Sequence, residues 1–156
     1  MTVREISEAD QKWIHPLNEA HAIELSHLTP ERLAEMVTNA SYARCEDGAF
    51  LLAFKQSDDY DGTNFLWFKE RYEKFIYIDR VCVDDAYQRR GLARKLYENL
   101  FQWAVEYSAG PIVCEVNSDP PNPNSDAFHA AQGFVEVGSA RLEDRAKTVT
   151  YLMRGE

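Results

Sequence analysis

Two neighbouring stretches constrain this chain more than any other. Residues 75–83 read Phe-Ile-Tyr-Ile-Asp-Arg-Val-Cys-Val, β-branched and aromatic almost throughout, and so predict a strand. Residues 91–107 place Leu92, Leu96, Leu100 and Ala104 on one stripe, with Ala93, Tyr97, Phe101 and Val105 beside it, which predicts a helix. Gly110-Pro111 ends that helix, and Ile112–Val116 is a short apolar strand. A strand joined to the next strand through a helix is a βαβ crossover, so the two strands are expected to lie parallel in one sheet.

The rest of the chain supplies elements for that sheet. Thr2–Ile6 alternates apolar and polar residues and reads as a strand. Between Trp13 and Leu25 the apolar positions follow a helical stripe. Thr29-Pro30 opens a second helix, with Thr29 as cap, Pro30 at the first helical position, and Leu33, Met36 and Val37 as its apolar face. Residues 41–45 and 49–54 flank Asp47-Gly48, a hairpin signal. Residues 56–64 form an acidic loop, and the aromatic run 64–72 is ambiguous between strand and helix. Prolines at 120–123 break the chain, Ser125–Gln132 forms a short helix closed by Gly133, and Phe134–Val137 and Thr148–Met153 are closing strands. The expected order is β α α β β β α β α β β over one domain, residues 1–156, an α/β (α+β) architecture with a mixed sheet.

A chain of 156 residues can bury roughly 68–70% of its unfolded surface, enough for a core without staples. With 17 basic and 26 acidic side chains it carries a net charge of −9, which makes it a poor general binder of nucleic acid or anionic membrane. The longest apolar run, Ala49–Phe54, is far below the ~18 residues of a membrane span. The first ten residues have neither a basic start nor an apolar stretch, so no signal peptide is expected and the cytoplasm is the expected compartment. Cys45, Cys82 and Cys114 fit no zinc or disulfide spacing and are expected to be reduced and buried.

Between the best strand and the best helix lies Asp84-Asp85-Ala86-Tyr87-Gln88-Arg89-Arg90-Gly91-Leu92-Ala93-Arg94-Lys95. A helix start carries partial positive charge and unpaired N–H groups, and it normally recruits acids. Arginines there make sense if an external anion such as a pyrophosphate supplies the missing charge, and Gly91 lets backbone approach that anion without a Cβ. A plain charged βα loop is the other reading. With one glycine and no GK[ST], neither a dinucleotide fingerprint nor a P-loop is present.

Gln88-Arg89-Arg90-Gly91-Leu92-Ala93 resembles the Q/R-x-x-G-x-G/A loop of the GNAT superfamily of N-acetyltransferases. Residues 78–83 resemble that family's central strand. Asn124-Ser125-Asp126-Ala127-Phe128-His129-Ala130-Ala131-Gln132-Gly133-Phe134 resembles its second motif. The stretch 64–83 is also similar to a subgroup of predicted members with unassigned substrate. The resemblance implies a splayed central sheet holding acetyl-CoA (coenzyme A). The backbone of Val81, Cys82 and Val83 would pair with the pantetheine arm, and the loop Gln88, Arg89, Arg90, Gly91, Leu92, Ala93 and Arg94 would hold the pyrophosphate. Asn124 would reach the cofactor or cap its helix.

The family's usual chemistry is direct attack of a primary amine on the thioester. It needs a base or water chain for the amine and a proton for the thiolate. Period-2 alternation puts Asp79 on the face of Val83, as base or amine-orienting group; the competing readings are a salt bridge to an arginine or a rim position. Where many members have Tyr-x-x-x-Gly-Phe, this chain has His129 before Gly133-Phe134. His129 would protonate the thiolate, or it is a solvated helix residue. Phe65, Trp67, Phe68 and Tyr72 could line an acceptor cleft or pack as core or lid. Asp58, Asp59 and Asp61 could steer a cationic acceptor or be a solvated loop. His15, His21 and His27 read as surface or core-edge residues. Cys82 invites an acyl-enzyme step, but a buried strand thiol is normally inert. The expected activity is N-acetylation of a small-molecule or peptide amine, with no metal, no nucleic acid and no membrane partner; a homodimer is compatible. The alternative is a non-catalytic acyl-CoA sensor on the same fold.

Overall fold

Ser7 and Asp10 form a reciprocal capping box that starts the first helix, α1 (Glu8–Ala20), five residues before its apolar stripe begins. The computed structural model describes residues 2–119 and 121–155. The stripe read as one helix to Leu25 is split at His21 into α1 and one turn, α2 (Ala22–Leu25). Thr29 accepts a hydrogen bond from the Arg32 N–H and Pro30 is the first residue of α3 (Pro30–Asn39), as the capping pattern predicts. The N-terminal strand β1 is shorter than expected, Arg4–Glu5. The hairpin is β2 (Tyr42–Glu46) and β3 (Ala49–Lys55), turning at Asp47-Gly48. The ambiguous aromatic run is a helix, α4 (Thr63–Lys69). Its period buries Phe65 and Phe68 together, a match no strand could make three residues apart.

The predicted crossover is β4 (Ile76–Val83), α5 (Leu92–Glu106) and β5 (Ile112–Asp119). The proline break falls partly outside the described residues, at Pro120; Pro123 is the first residue of α6 (Pro123–Ala131). The closing strands are longer than expected, β6 (Val135–Leu142) and β7 (Lys147–Arg154). The sheet order is β1-β2-β3-β4-β5-β7-β6, and among the described strands β4–β5 is the parallel pair.

Each face of the sheet carries its own core. Phe50, Leu52 and Phe54 of β3 pack with Ile14 and Leu17 of α1, Leu33 and Met36 of α3, and Phe65 and Phe68 of α4. The alternate residues Ala49, Leu51 and Ala53 pack with Leu92, Leu96, Tyr97 and Leu100 of α5. This is the period-2 pattern of a strand buried on both sides. β4 keeps the pattern only with a shift. Leu52 pairs with Arg80 and Ala53 with Ile78, leaving Asp79 as the extra residue of a bulge. Before the bulge, even positions 76 and 78 face α5; after it, odd positions 81 and 83 do. Asp79 therefore does not share a face with Val83, contrary to the simple alternation, because one inserted residue flips every side chain beyond it.

Candidate active site

β4 and β5 pair only at Ile76–Ile112 and Tyr77–Val113. Beyond those pairs β4 stays with β3 as far as Val83, and β5 stays with β7 as far as Asp119. The sheet thus splits along its parallel seam and leaves the β5-facing edge of residues 78–83 without a strand. A cleft of about 530 Å³ occupies the split. Its lining comes from both layers: Val81, Val83, Ala93, Tyr97, Val116 and His129 from the α5 side, and Met36, Tyr60, Tyr77, Asp79, Leu142 and Val149 from the other. The cleft consequently runs through the sheet and has two mouths.

At the α5 mouth the helix start is uncapped. Gly91 is its cap residue in the left-handed region at φ 70°, it has no side-chain cap, and no acid lies in the first turn. Arg89 is left-handed too, at φ 66°. A Cβ added at Gly91 would meet nothing within 4 Å, so the approach to the amides is open. The loop before it is pinned in place. The Asp84 N–H donates to the Gly48 carbonyl at 2.7 Å, and the Asp84 carboxylate accepts from the Ala86 N–H. The Tyr87 ring lies so close to Gly48 that a Cβ there would fall 2.3 Å from it. Arg90 stacks over the other part of this unit, 5.0 Å from the Tyr87 centroid. Gln88 donates to the Val83 carbonyl at 3.0 Å, Leu92 is a core residue, and Arg94 pairs with Glu98 at 3.3 Å. An uncapped helix N-terminus with Arg89 and Arg90 exposed beside it is what a diphosphate requires, so the residues present fit the cofactor that the motif implies.

Deeper on the same side, Tyr97 and His129 form a buried dyad. His129 Nδ1 lies 2.8 Å from the Ser125 carbonyl, which can only accept, so that nitrogen carries the proton. Nε2 then accepts from the Tyr97 hydroxyl at 2.8 Å. Burial lowers the His129 pKa below its ordinary value and raises that of Tyr97 well above it, so both are neutral at neutral pH. His129 is not a solvated helix residue, and its position on α6 brings it to the cleft floor.

The opposite mouth holds a carboxyl that the sequence reading passed over. Glu115 interrupts the apolar run of β5, and its side chain accepts from the Tyr77 hydroxyl at 2.7 Å. Burial, reinforced by the nearby charge of Asp79, lifts its pKa to about 8, although the Tyr77 hydrogen bond and Arg145 pull the other way. A charged residue within Ile-Val-Cys-Glu-Val was the available signal. Asp79 forms the expected alternative, a salt bridge to Arg80 at 2.6 Å with both side chains nearly buried, and it also accepts from the Tyr60 hydroxyl. Arg80 reaches on to Asn18 at 2.8 Å and to the Ser26 carbonyl, tying β4 to α1 and to the end of α2.

Several expected contacts are not made. Phe65 and Phe68 are fully buried in the aromatic core, Trp67 stacks on Tyr151 at 4.0 Å, and Tyr72 packs against Phe68. None of the four lines the cleft; Gly62, Thr63 and Asn64 do, because the helical turn of α4 points 65 and 68 into the sheet. Asn124 is exposed and does not line the cleft, whereas Asn122 and Ser125 do, and the cap of α6 is Asn122, which accepts from the Ser125 N–H. Cys82 lines the cleft, but burial raises its thiol to about 12, which leaves it unionised. All three cysteines are free and buried, and no helix among the described residues is long and apolar enough to cross a membrane.

The sequence profile of the Acetyltransferase (GNAT) family matches residues 13–134. No curated protein gives a significant sequence match. Among solved structures, Ard1 from Thermoplasma volcanium superposes with a TM-score of 0.75 at 17% identity, covering 99% of this chain and 98% of that one. The ribosomal-protein-S18-alanine N-acetyltransferase of Escherichia coli gives 0.69 at 16% identity, covering 98% and 92%. A chain of the NatC complex bound to Gag peptide and CoA gives 0.74 at 14% identity, covering 99% and 98%. The fold is theirs, and the profile spans most of the chain, including both motifs around the split seam. This chain belongs to the GNAT family of acetyltransferases, whose acyl donor is acetyl-CoA.

Proposed function

We propose that this chain transfers an acetyl group from acetyl-CoA to a primary amine, the donor entering from the α5 mouth and the amine from the opposite one. One observation carries the reading: a single cleft through the sheet joins an uncapped, arginine-flanked helix start to a carboxyl, Glu115, that accepts protons near neutral pH.

The amides from Arg89 to Arg94 would bind the pyrophosphate, with Arg89 and Arg90 adding charge. The open edge of Val81, Cys82 and Val83 would hydrogen-bond the pantetheine arm as an added strand. Glu115, in its ionised fraction, would take the proton that the arriving ammonium must lose. A base is most effective when its pKa is close to the working pH, as here. As the nitrogen bonds to the acetyl carbon and the carbon–sulfur bond breaks, the departing sulfur needs a proton or a donor. The Tyr97 hydroxyl is the donor that this side of the cleft offers, once its proton turns from His129 Nε2 toward the sulfur. Asp79 would act through Arg80 and Tyr60, holding the acceptor-side wall in place.

The replacement of the family's usual tyrosine by His129 supports one other reading, an acyl-CoA sensor without turnover. Thiol release from acetyl-CoA across a panel of amines separates the two. Release that rises with pH toward about 8 and vanishes in Glu115→Gln supports the transferase. Tight CoA binding with no release for any amine favours the sensor.

A further inference from the structure

The β6–β7 connection ends in a 3₁₀ turn, Glu143–Arg145, followed by Ala146 in the left-handed region at φ 49°. A non-glycine residue in that region is uncommon and is found where the surroundings require a particular direction of the chain. On either side of it stand Arg145 and Lys147, and both line the cleft. They do so at the acceptor mouth, because the strand residues next to them, Leu142 and Val149, belong to the core on the α1–α3–α4 face.

The other guanidinium groups on this side are engaged. Arg32 is paired with Glu35 and Asp61, and Arg80 with Asp79 and Asn18. The side chains of Arg145 and Lys147 have neither hydrogen bond nor ion pair among the described residues. Glu143 pairs with Arg141 instead. Arg145 is also near enough to Glu115 for its charge to act on that carboxyl. In a chain of net charge −9, two unmatched cations beside the amine's base run against the general field of the protein.

Resting on the transferase reading above, we infer that the acceptor carries an anionic group as well as its amine, an amino-acid-like carboxylate that Arg145 and Lys147 receive while Glu115 faces the nitrogen. A carboxylate would give Arg145 the bidentate partner that its fork lacks among the described residues. The proposed diphosphate site is the uncapped start of α5 on the other side of the sheet, so these cations are not part of the donor site.

The test compares free amino acids with their amides and with the corresponding decarboxylated amines, following thiol release from acetyl-CoA by wild type, Arg145→Gln, Lys147→Gln and the double variant. An aminoalkyl phosphate series distinguishes a carboxylate from another anion. Wild type should prefer the carboxylated acceptor by at least about tenfold in kcat/KM, the scale of one charge-assisted contact. The double variant should lose that factor on acids relative to amides, over and above any common change that follows from removing the charge of Arg145 beside Glu115, and keep its KM for acetyl-CoA. Equal rates for acids and amides in wild type, equal losses on both in the variant, a preference confined to phosphates, or a raised KM for acetyl-CoA would each overturn the inference. Binding of N-acetyl amino acids and their amides by calorimetry adds a readout that needs no turnover. If no amine releases thiol, the transferase reading fails. The carboxylate site still stands if acids bind and the double variant loses them, and falls if they do not.

Discussion

Replacing Glu115 by Gln should raise stability and abolish turnover, and the stability gain should depend on pH. The Glu115 carboxyl has a pKa of about 8 in the fold, against 4.5 for an unperturbed glutamate. A group whose folded pKa is raised binds its proton more tightly in the folded state. Its contribution is therefore fully present below 4.5, is lost as pH climbs toward 8, and is constant above that. At about 1.36 kcal/mol per tenfold change in proton affinity, the penalty for burying this carboxyl grows by roughly 4 kcal/mol between pH 5 and pH 9. Gln keeps the shape and an oxygen for the Tyr77 hydroxyl, 2.7 Å away in the wild type, but has no charge to desolvate. For a chain of this size the difference corresponds to about 8–16 °C in Tm. Thermal melts of both proteins at pH 5, 7 and 9 measure it; titrating groups that do not feel the Glu115 charge are common to the two and cancel in the comparison. The variant should melt close to wild type at pH 5 and well above it at pH 9, while its kcat falls by about 100-fold or more. A Tm difference that is the same at pH 5 and pH 9 would refute the argument that Glu115 sits in a desolvated site.

Gly91→Glu should abolish CoA binding, since it sets bulk and negative charge at the uncapped start of α5, with a stability loss of only about 1 kcal/mol for the left-handed backbone; unchanged CoA affinity by calorimetry would remove the loop from the site. His129→Ala should lower kcat more than it raises KM for acetyl-CoA, and Tyr97→Phe should do the same, because each breaks the 2.8 Å bond between them; wild-type turnover in both would leave the dyad a purely structural one. Asp79→Asn should destabilise the fold by about 2–4 kcal/mol in denaturant unfolding, because it strands the buried Arg80 guanidinium; a fall in kcat without loss of stability would instead mark Asp79 as the base. Gly48→Ala should loosen the loop at residues 84–91, since its Cβ would displace the Tyr87 ring, and is checked by a raised KM for acetyl-CoA.

Local patterns were enough for the crossover of β4, α5 and β5, for the capping of α3, for the hairpin at Asp47-Gly48 and for the arginine-flanked helix start. Each is written within a few consecutive residues, where periodicity, a cap or a turn dipeptide acts over a single turn or strand. The resemblance to a known acetyltransferase loop rested on the same kind of signal, and the profile match upholds it. The ambiguous run at 64–72 shows where local reading stops. Its aromatic residues suit a strand or a helix, and packing of Phe65 and Phe68 against the sheet chose the helix.

The sequence by itself determined most of the elements, the run at 64–72 excepted, and where an anion would be welcome, because those properties depend on neighbours along the chain. Only the tertiary structure decided who shares the cleft. The bulge at Asp79 shifted one strand's alternation, the split between β4 and β5 opened a passage through the sheet, and that passage brought Glu115, Tyr97, His129 and Arg145 to one site. These residues lie on four different elements, so neither their meeting nor the raised proton affinity of Glu115, which comes from desolvation by distant segments, is written in any local stretch.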